Sequence, residues 1–215
     1  MNTINCGPLR YLACRAVLLA SAAILSACAS TGPKHTPARI EIEEAVGFTI
    51  IEEARISNNV RTDYEQALAY LEQGQHDRGV ASLEAIAEAA PYLSAPRIDL
   101  GIAHHRAGNL EAAESHLLLA LESHPDHPIA HNELGIIYRK VGRFAEARQS
   151  YEAALATYPG YHYARRNLAI LCDLYLADLD CALNNYEAYM ATVQSDDEAS
   201  MWLADLRLRM GRGEE

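Results

Sequence analysis

The chain has 215 residues, half of them hydrophobic, and a formal net charge of −11. This is one domain of ordinary size, long enough to bury a real core. Lys34 and Lys140 are the only lysines, so the acidic surface offers no basic patch to a nucleic acid.

The first element is an apolar run from Ala16 to Leu25, interrupted only by Ser21. It is too short to cross a bilayer as a helix, which takes about 20 apolar residues. Arg10 and Arg15 precede it, and no acidic residue occurs before Glu41. A positive start, an apolar middle and small residues at the exit read as a secretory signal over residues 1–27. The run leaves through Leu25-Ser26-Ala27-Cys28. These four residues resemble the lipobox of bacterial lipoproteins, in which the chain is cut before the cysteine and its thiol is lipidated. The resemblance implies a mature chain starting at a lipidated Cys28 and held stably at a membrane. Ala29, which is not aspartate, implies sorting to the outer membrane, facing the periplasm. Loss of Arg10 and Arg15 takes the formal charge from −11 to −13.

Residues 28–40 are small, polar and proline-containing, and read as the lipidated N-terminus and a flexible tether. Residues 41–59 are ambiguous between an added helix and an extended segment packed on the region after residue 59.

From residue 60 the chain repeats. Pro91, Pro125 and Pro159 stand 34 apart, and so do Gly74, Gly108 and Gly142. Ala67, Gly101, Gly135 and Ala169 keep the same step, as do Leu100, Leu134 and Leu168. Within each period, apolar and small residues recur at helical spacing on both sides of the glycine, which predicts a helical hairpin. The pattern resembles the tetratricopeptide repeat. The resemblance implies an all-α fold: a right-handed superhelical solenoid of stacked helix-turn-helix units, because one hairpin cannot bury its own apolar faces. The units are 60–93, 94–127, 128–161 and 162–195. The first and last depart from the pattern: unit one has Gln66 and Gly79 at the leucine and alanine places. Unit four has no turn glycine, and a shift of one residue brings Ala182 and Tyr186 into register. Residues 196–211 predict a capping helix, started by Asp196 or Asp197 and ended near Arg207 and Arg209. Met201, Leu203, Leu206 and Met210 share one face of it, with Trp202 on the edge; capping is preferred for Trp202 over a partner-binding anchor.

Cys172 and Cys181 occupy the two helices of unit four, near their connection. A disulfide is preferred over two buried thiols, given an oxidising compartment.

No catalytic constellation is present: there is no HExxH, P-loop, GxGxxG or GxSxG, so no enzyme, cofactor or small-molecule substrate is expected. His124, His127 and His131 are the densest histidine stretch, but no cysteine accompanies them, and no metal is assigned. His104 takes a place usually held by an aromatic and reads as a core residue.

By the resemblance, a partner lies on the concave face, formed by the first helix of each unit. The ninth places there are Leu68, Ile102, Ile136 and Ile170. Tyr64, Ile98, Asn132 and Arg166 hold the fifth, while His105 and Arg139 hold two of the twelfth. Two readings stand: an apolar floor with a polar wall, or isoleucines partly covered by their neighbours. The resemblance implies a lipid-anchored adaptor or scaffold for an envelope protein or peptide, of the kind that serves pilus secretins, cell-wall hydrolases or TonB–ExbB–ExbD-type complexes. The alternatives are an accessory with a metal or hydrolytic site near His124–His131, and a structural lipoprotein that self-associates.

Overall fold

The computed structural model describes residues 39–45, 47–53, 57–193 and 195–211. Cys28, the signal segment and the tether up to residue 38 lie outside them. Arg39 and Ile40 belong to a strand rather than to the tether, and residues 41–53 form neither a helix nor a lone extended segment. Strand β1 (Arg39–Ala45) pairs antiparallel with β2 (Gly47–Glu53), Arg39 opposite Glu53 and Ala45 opposite Gly47. Ile40 and Ile42 alternate with charged residues, a period-two pattern that suits a strand and not a helix.

Nine helices come after this hairpin among the described residues. They are α1 (Asn58–Glu72), α2 (His76–Ala89), α3 (Ala95–Arg106), α4 (Leu110–Ser123), α5 (Pro128–Lys140), α6 (Phe144–Thr157), α7 (His162–Leu174), α8 (Leu179–Thr192) and α9 (Asp197–Arg209). The first eight make four hairpins, and each hairpin packs on the next. None of the described helices is long and apolar enough to cross a membrane.

The turns explain the period. Gly74, Gly108 and Gly142 have φ of +76°, +83° and +80°, a backbone that glycine adopts without strain. The next residue then donates its N–H back into the first helix: Gln75 to Tyr70, Asn109 to His104 and Arg143 to Tyr138, at 2.8–2.9 Å. In the fourth hairpin Ala177 takes this role with φ 53°, and Asp178 N–H reaches Cys172 O at 2.9 Å. That turn is one residue longer. Helix α8 therefore starts at Leu179, and Ala182 and Tyr186 enter the core at 0% and 1% exposure. Asp178 caps α8 by accepting from Cys181 N–H.

The small residues set the packing distance inside each hairpin. A Cβ built on Gly135 would lie 2.6 Å from Cδ1 of Tyr151, which is fully buried. Buried side chains fall into two clusters. A large one runs from Ile98 to Leu206, and a small one holds Ala67, Leu83, Ile86, Ala87 and Leu100.

Helix α9 is capped by Asp196, which accepts from Ala199 N–H at 2.9 Å. Ala199, Leu203 and Leu206 are buried, and Trp202 packs against Tyr186. Met201 does not share their face; it is 66% exposed, because the buried stripe runs 199, 203, 206.

Candidate functional site

The first helices of successive repeats touch one another directly, α3 on α5 and α5 on α7. They form one face, and the residues expected on the concave side lie along it. Leu68, Ile102 and Ile136 are half-buried, and the two isoleucines rest on the core. They are the apolar floor. Ile98, Asn132 and Ile170 leave the candidate surface, at 4%, 3% and 9% exposure. Ile98 joins the large buried cluster, Asn132 bonds to the next repeat, and Ile170 lines a cavity of about 230 Å³ that Tyr186, Trp202 and Arg209 help to close.

The polar wall is spent largely on the protein itself. Tyr64 hydroxyl donates to Asp99 Oδ2 in the next repeat. Asn167 amide donates to Asn132 Oδ1 at 2.9 Å, and Asn132 amide to Glu133 Oε1 at 3.2 Å. His105 Nδ1 lies 3.7 Å from Glu133 Oε2. Burial lowers the His105 pKa, with Lys140 and Arg106 adding to it, which disfavours the charged ring. Arg166 binds Glu198 at 2.9 Å and lies over Trp202. Arg209 binds Asp173 at 2.6 Å. Arg139 approaches the ring of Tyr175 at 5.9 Å. Four of these bonds (Tyr64–Asp99, Asn132–Asn167, Arg166–Glu198 and Asp173–Arg209) join residues 32 to 36 positions apart, about one period. The fifth-place residue of one unit meets the sixth-place residue of the next in both Tyr64–Asp99 and Asn132–Asn167. The sixth places (Glu65, Asp99, Glu133, Asn167) are all polar in the sequence, a signal that marks them as partners.

Asp99 has a measurable consequence. Burial pushes its carboxyl up to about 6, against the pull of the Tyr64 hydroxyl and Arg106. The folded chain therefore binds this proton more tightly than the unfolded chain does. Stability is greatest below about pH 4 for this group and falls as pH rises to about 6, at a total cost of about 1–3 kcal/mol. Asp99→Asn keeps an acceptor for Tyr64 and removes the charge. It is expected to raise stability in urea by about 1–2 kcal/mol at pH 7.5 and to leave it unchanged near pH 4. An equal effect at both pH values would remove Asp99 as the source.

The two late cysteines are bonded, Cys172 on α7 to Cys181 on α8, with Cα atoms 5.9 Å apart. His124, His127 and His131 do not bring three ligand atoms within 4.8 Å of one another. His124 and His127 are buried, and His131 Nε2 donates to Pro125 O at 2.7 Å. Burial drives the His127 pKa down to about 4. His104 is half-buried and stacks on His116.

The family model for the tetratricopeptide repeat matches residues 64–128, 98–162 and 132–172. The chain belongs to the tetratricopeptide-repeat family. No curated protein sequence matches it. Among solved structures it is similar to MamA from Desulfovibrio magneticus RS-1, at 17% identity and a TM-score of 0.63, over 73% of this chain and 88% of that one. It is also similar to PilF of Pseudomonas aeruginosa, at 19% identity and a TM-score of 0.64, over 70% and 68%. Cut9 in its complex with Hcn1 gives 18% identity and a TM-score of 0.62, over 70% of this chain and 30% of that chain. At these identities the likeness is one of fold. The tetratricopeptide solenoid is a protein-interaction scaffold, and its first-helix face here keeps a stripe of half-buried apolar side chains.

Proposed function

We propose that the protein is a lipid-anchored, non-enzymatic adaptor. Cys28 carries the lipid, the protein faces the periplasm from the outer membrane, and the solenoid holds one envelope protein or peptide. The observation that carries the reading is the stripe of Leu68, Ile102 and Ile136. It stays partly open on a first-helix face whose polar side chains are largely paired within the chain. An apolar stripe of this kind suits an amphipathic helix or an extended segment. Accessory roles in a secretin or TonB–ExbB–ExbD-type assembly fit such an adaptor.

In vivo cross-linking in the native host, followed by mass spectrometry, tests it. The wild type is expected to capture one envelope protein reproducibly. The variant Ile102→Glu, Ile136→Glu, Arg139→Glu is expected to lose it while remaining folded. Unchanged capture would move the binding surface elsewhere. No capture would favour a structural role. Cys28→Ala is expected to abolish labelling by a fatty-acid analogue; persistent label would end the anchoring claim.

A further inference from the structure

His104 and His116 face each other across the second hairpin, from α3 and α4. Their rings are parallel within 3°, with centroids 5.3 Å apart. Tyr70 and Tyr138 hold the place of His104 in the first and third repeats, each with an arginine over its ring, and the disulfide-bonded Cys172 holds it in the fourth. The second repeat instead puts two imidazoles together. Glu84, on α2 of the preceding repeat, completes the group. One ligand atom from each of Glu84, His104 and His116 lies within 4.8 Å of the other two. The Nδ1 atom of His116 is buried and has no hydrogen-bond partner. A buried ring nitrogen of this kind calls for a partner.

We propose that Glu84, His104 and His116 form a binding site for a divalent transition-metal ion of the zinc class, which clips the first repeat to the second. Two imidazoles and one carboxylate are donors that zinc accepts, and three protein ligands leave a fourth position for water or for a group from a partner. Tetrahedral zinc with bonds of about 2.1 Å sets its ligand atoms about 3.4 Å apart, so the three must close by roughly an ångström. A metal lies in the plane of each imidazole that binds it, so at least one ring must also turn out of the parallel pair; Glu84 is exposed and both rings are only half-buried, which leaves room for that rotation. Burial, with His104 and Arg97 adding to it, lowers the His116 pKa and favours the neutral imidazole that binds metal; Glu84 opposes the shift.

The position gives the ion a task. The three ligands come from α2, α3 and α4, and the buried core changes from its small cluster to its large one at this same junction. A metal there joins the two repeats where apolar packing is divided. The other group of ligating type among the described residues, Cys172, Asp178 and Cys181, has both sulfurs engaged in the disulfide.

The test uses the full chain without an affinity tag, purified in detergent and stripped of metal, then titrated with zinc by calorimetry. One saturable site per chain with micromolar affinity is expected. His116→Ala and His104→Ala are expected to weaken it by at least about 100-fold, since even supporting residues are worth about 10–100-fold. His131→Ala should bind as wild type. Glu84→Gln alters an exposed residue that the metal-free fold does not need. It should weaken zinc at least about tenfold while leaving the melting temperature of the metal-free chain unchanged. Zinc should raise the melting temperature of the wild type and of His131→Ala, but not of His116→Ala. Absence of saturable binding would overturn the proposal. So would binding that survives both Glu84→Gln and His116→Ala, or binding lost only in His131→Ala.

Discussion

Gly135→Val is expected to lower the stability of the protein by about 3 kcal/mol or more, with Gly135→Ala costing about 2 kcal/mol. The reason is the ring it meets. An added Cβ would lie 2.6 Å from Cδ1 and 2.8 Å from Cζ of Tyr151, a side chain with 0% exposure and no free space to turn into. Either the ring moves, disturbing the hairpin core, or α5 and α6 separate. A gain in helix propensity of about 1 kcal/mol offsets part of the alanine cost but little of the valine cost. The first repeat supplies the control. At Gly79 the same Cβ meets Leu71 Cγ at 2.6 Å and the Ala67 carbonyl at 3.2 Å; Leu71 is half-buried and can rotate, which leaves the carbonyl contact as the remaining cost. Gly79→Ala is therefore expected to cost about 1 kcal/mol or less, below Gly135→Ala, with helix propensity offsetting part of it. Urea unfolding of the three variants checks the order. Equal tolerance at both glycines would mean that contact with Tyr151 does not limit the approach of α5 and α6.

The second large effect is loss of the disulfide. Cys172→Ala with Cys181→Ala is expected to cost about 2–3 kcal/mol, by freeing a short loop in the unfolded chain. For a domain of this size that is a drop of roughly 5–10 °C in melting temperature. The loss should be local as well as global. Cys172 is fully buried, and its carbonyl accepts the N–H of Asp178 that closes the longer fourth turn. Amide exchange should therefore rise first over residues 171–182. A reducing agent should reproduce both effects in the wild type and neither in the double variant. A melting temperature insensitive to reductant would show that turn and cap alone hold this hairpin.

The repeat architecture is legible in the sequence because its causes are local. A left-handed turn requires glycine at Gly74, Gly108 and Gly142, and tight helix packing requires small residues at Gly101 and Gly135. Such needs recur at a fixed step and leave a trace in the chain. The strand pair at 39–53 is harder to read. Its alternation spans only a few residues and sits between a polar stretch and a helix, where extended and helical readings compete. The groove is half legible. Ninth-place apolar residues announce themselves, but the fate of Asn132 and Arg166 depends on Asn167 and Glu198, one period away in the chain and adjacent only after stacking. The grouping of Glu84, His104 and His116 has no local spacing at all, since it draws on three helices.

The inter-repeat bonds along the first-helix face have a mechanical meaning. On one side of the stack Tyr64–Asp99 ties unit one to two, Asn132–Asn167 ties three to four, and Arg166–Glu198 and Asp173–Arg209 tie four to the cap, with the looser His105–Glu133 contact between two and three. Hydrogen bonds keep a narrow range of length, and Arg143–Glu114 and Arg148–Asp178 add further ties on the second-helix side. Such a strip resists being lengthened. Opening the face to admit a bulkier guest would stretch the ties together, at about 1 kcal/mol for each that breaks. The surface should therefore choose its guest by fit to a preset curvature instead of moulding itself around whatever arrives.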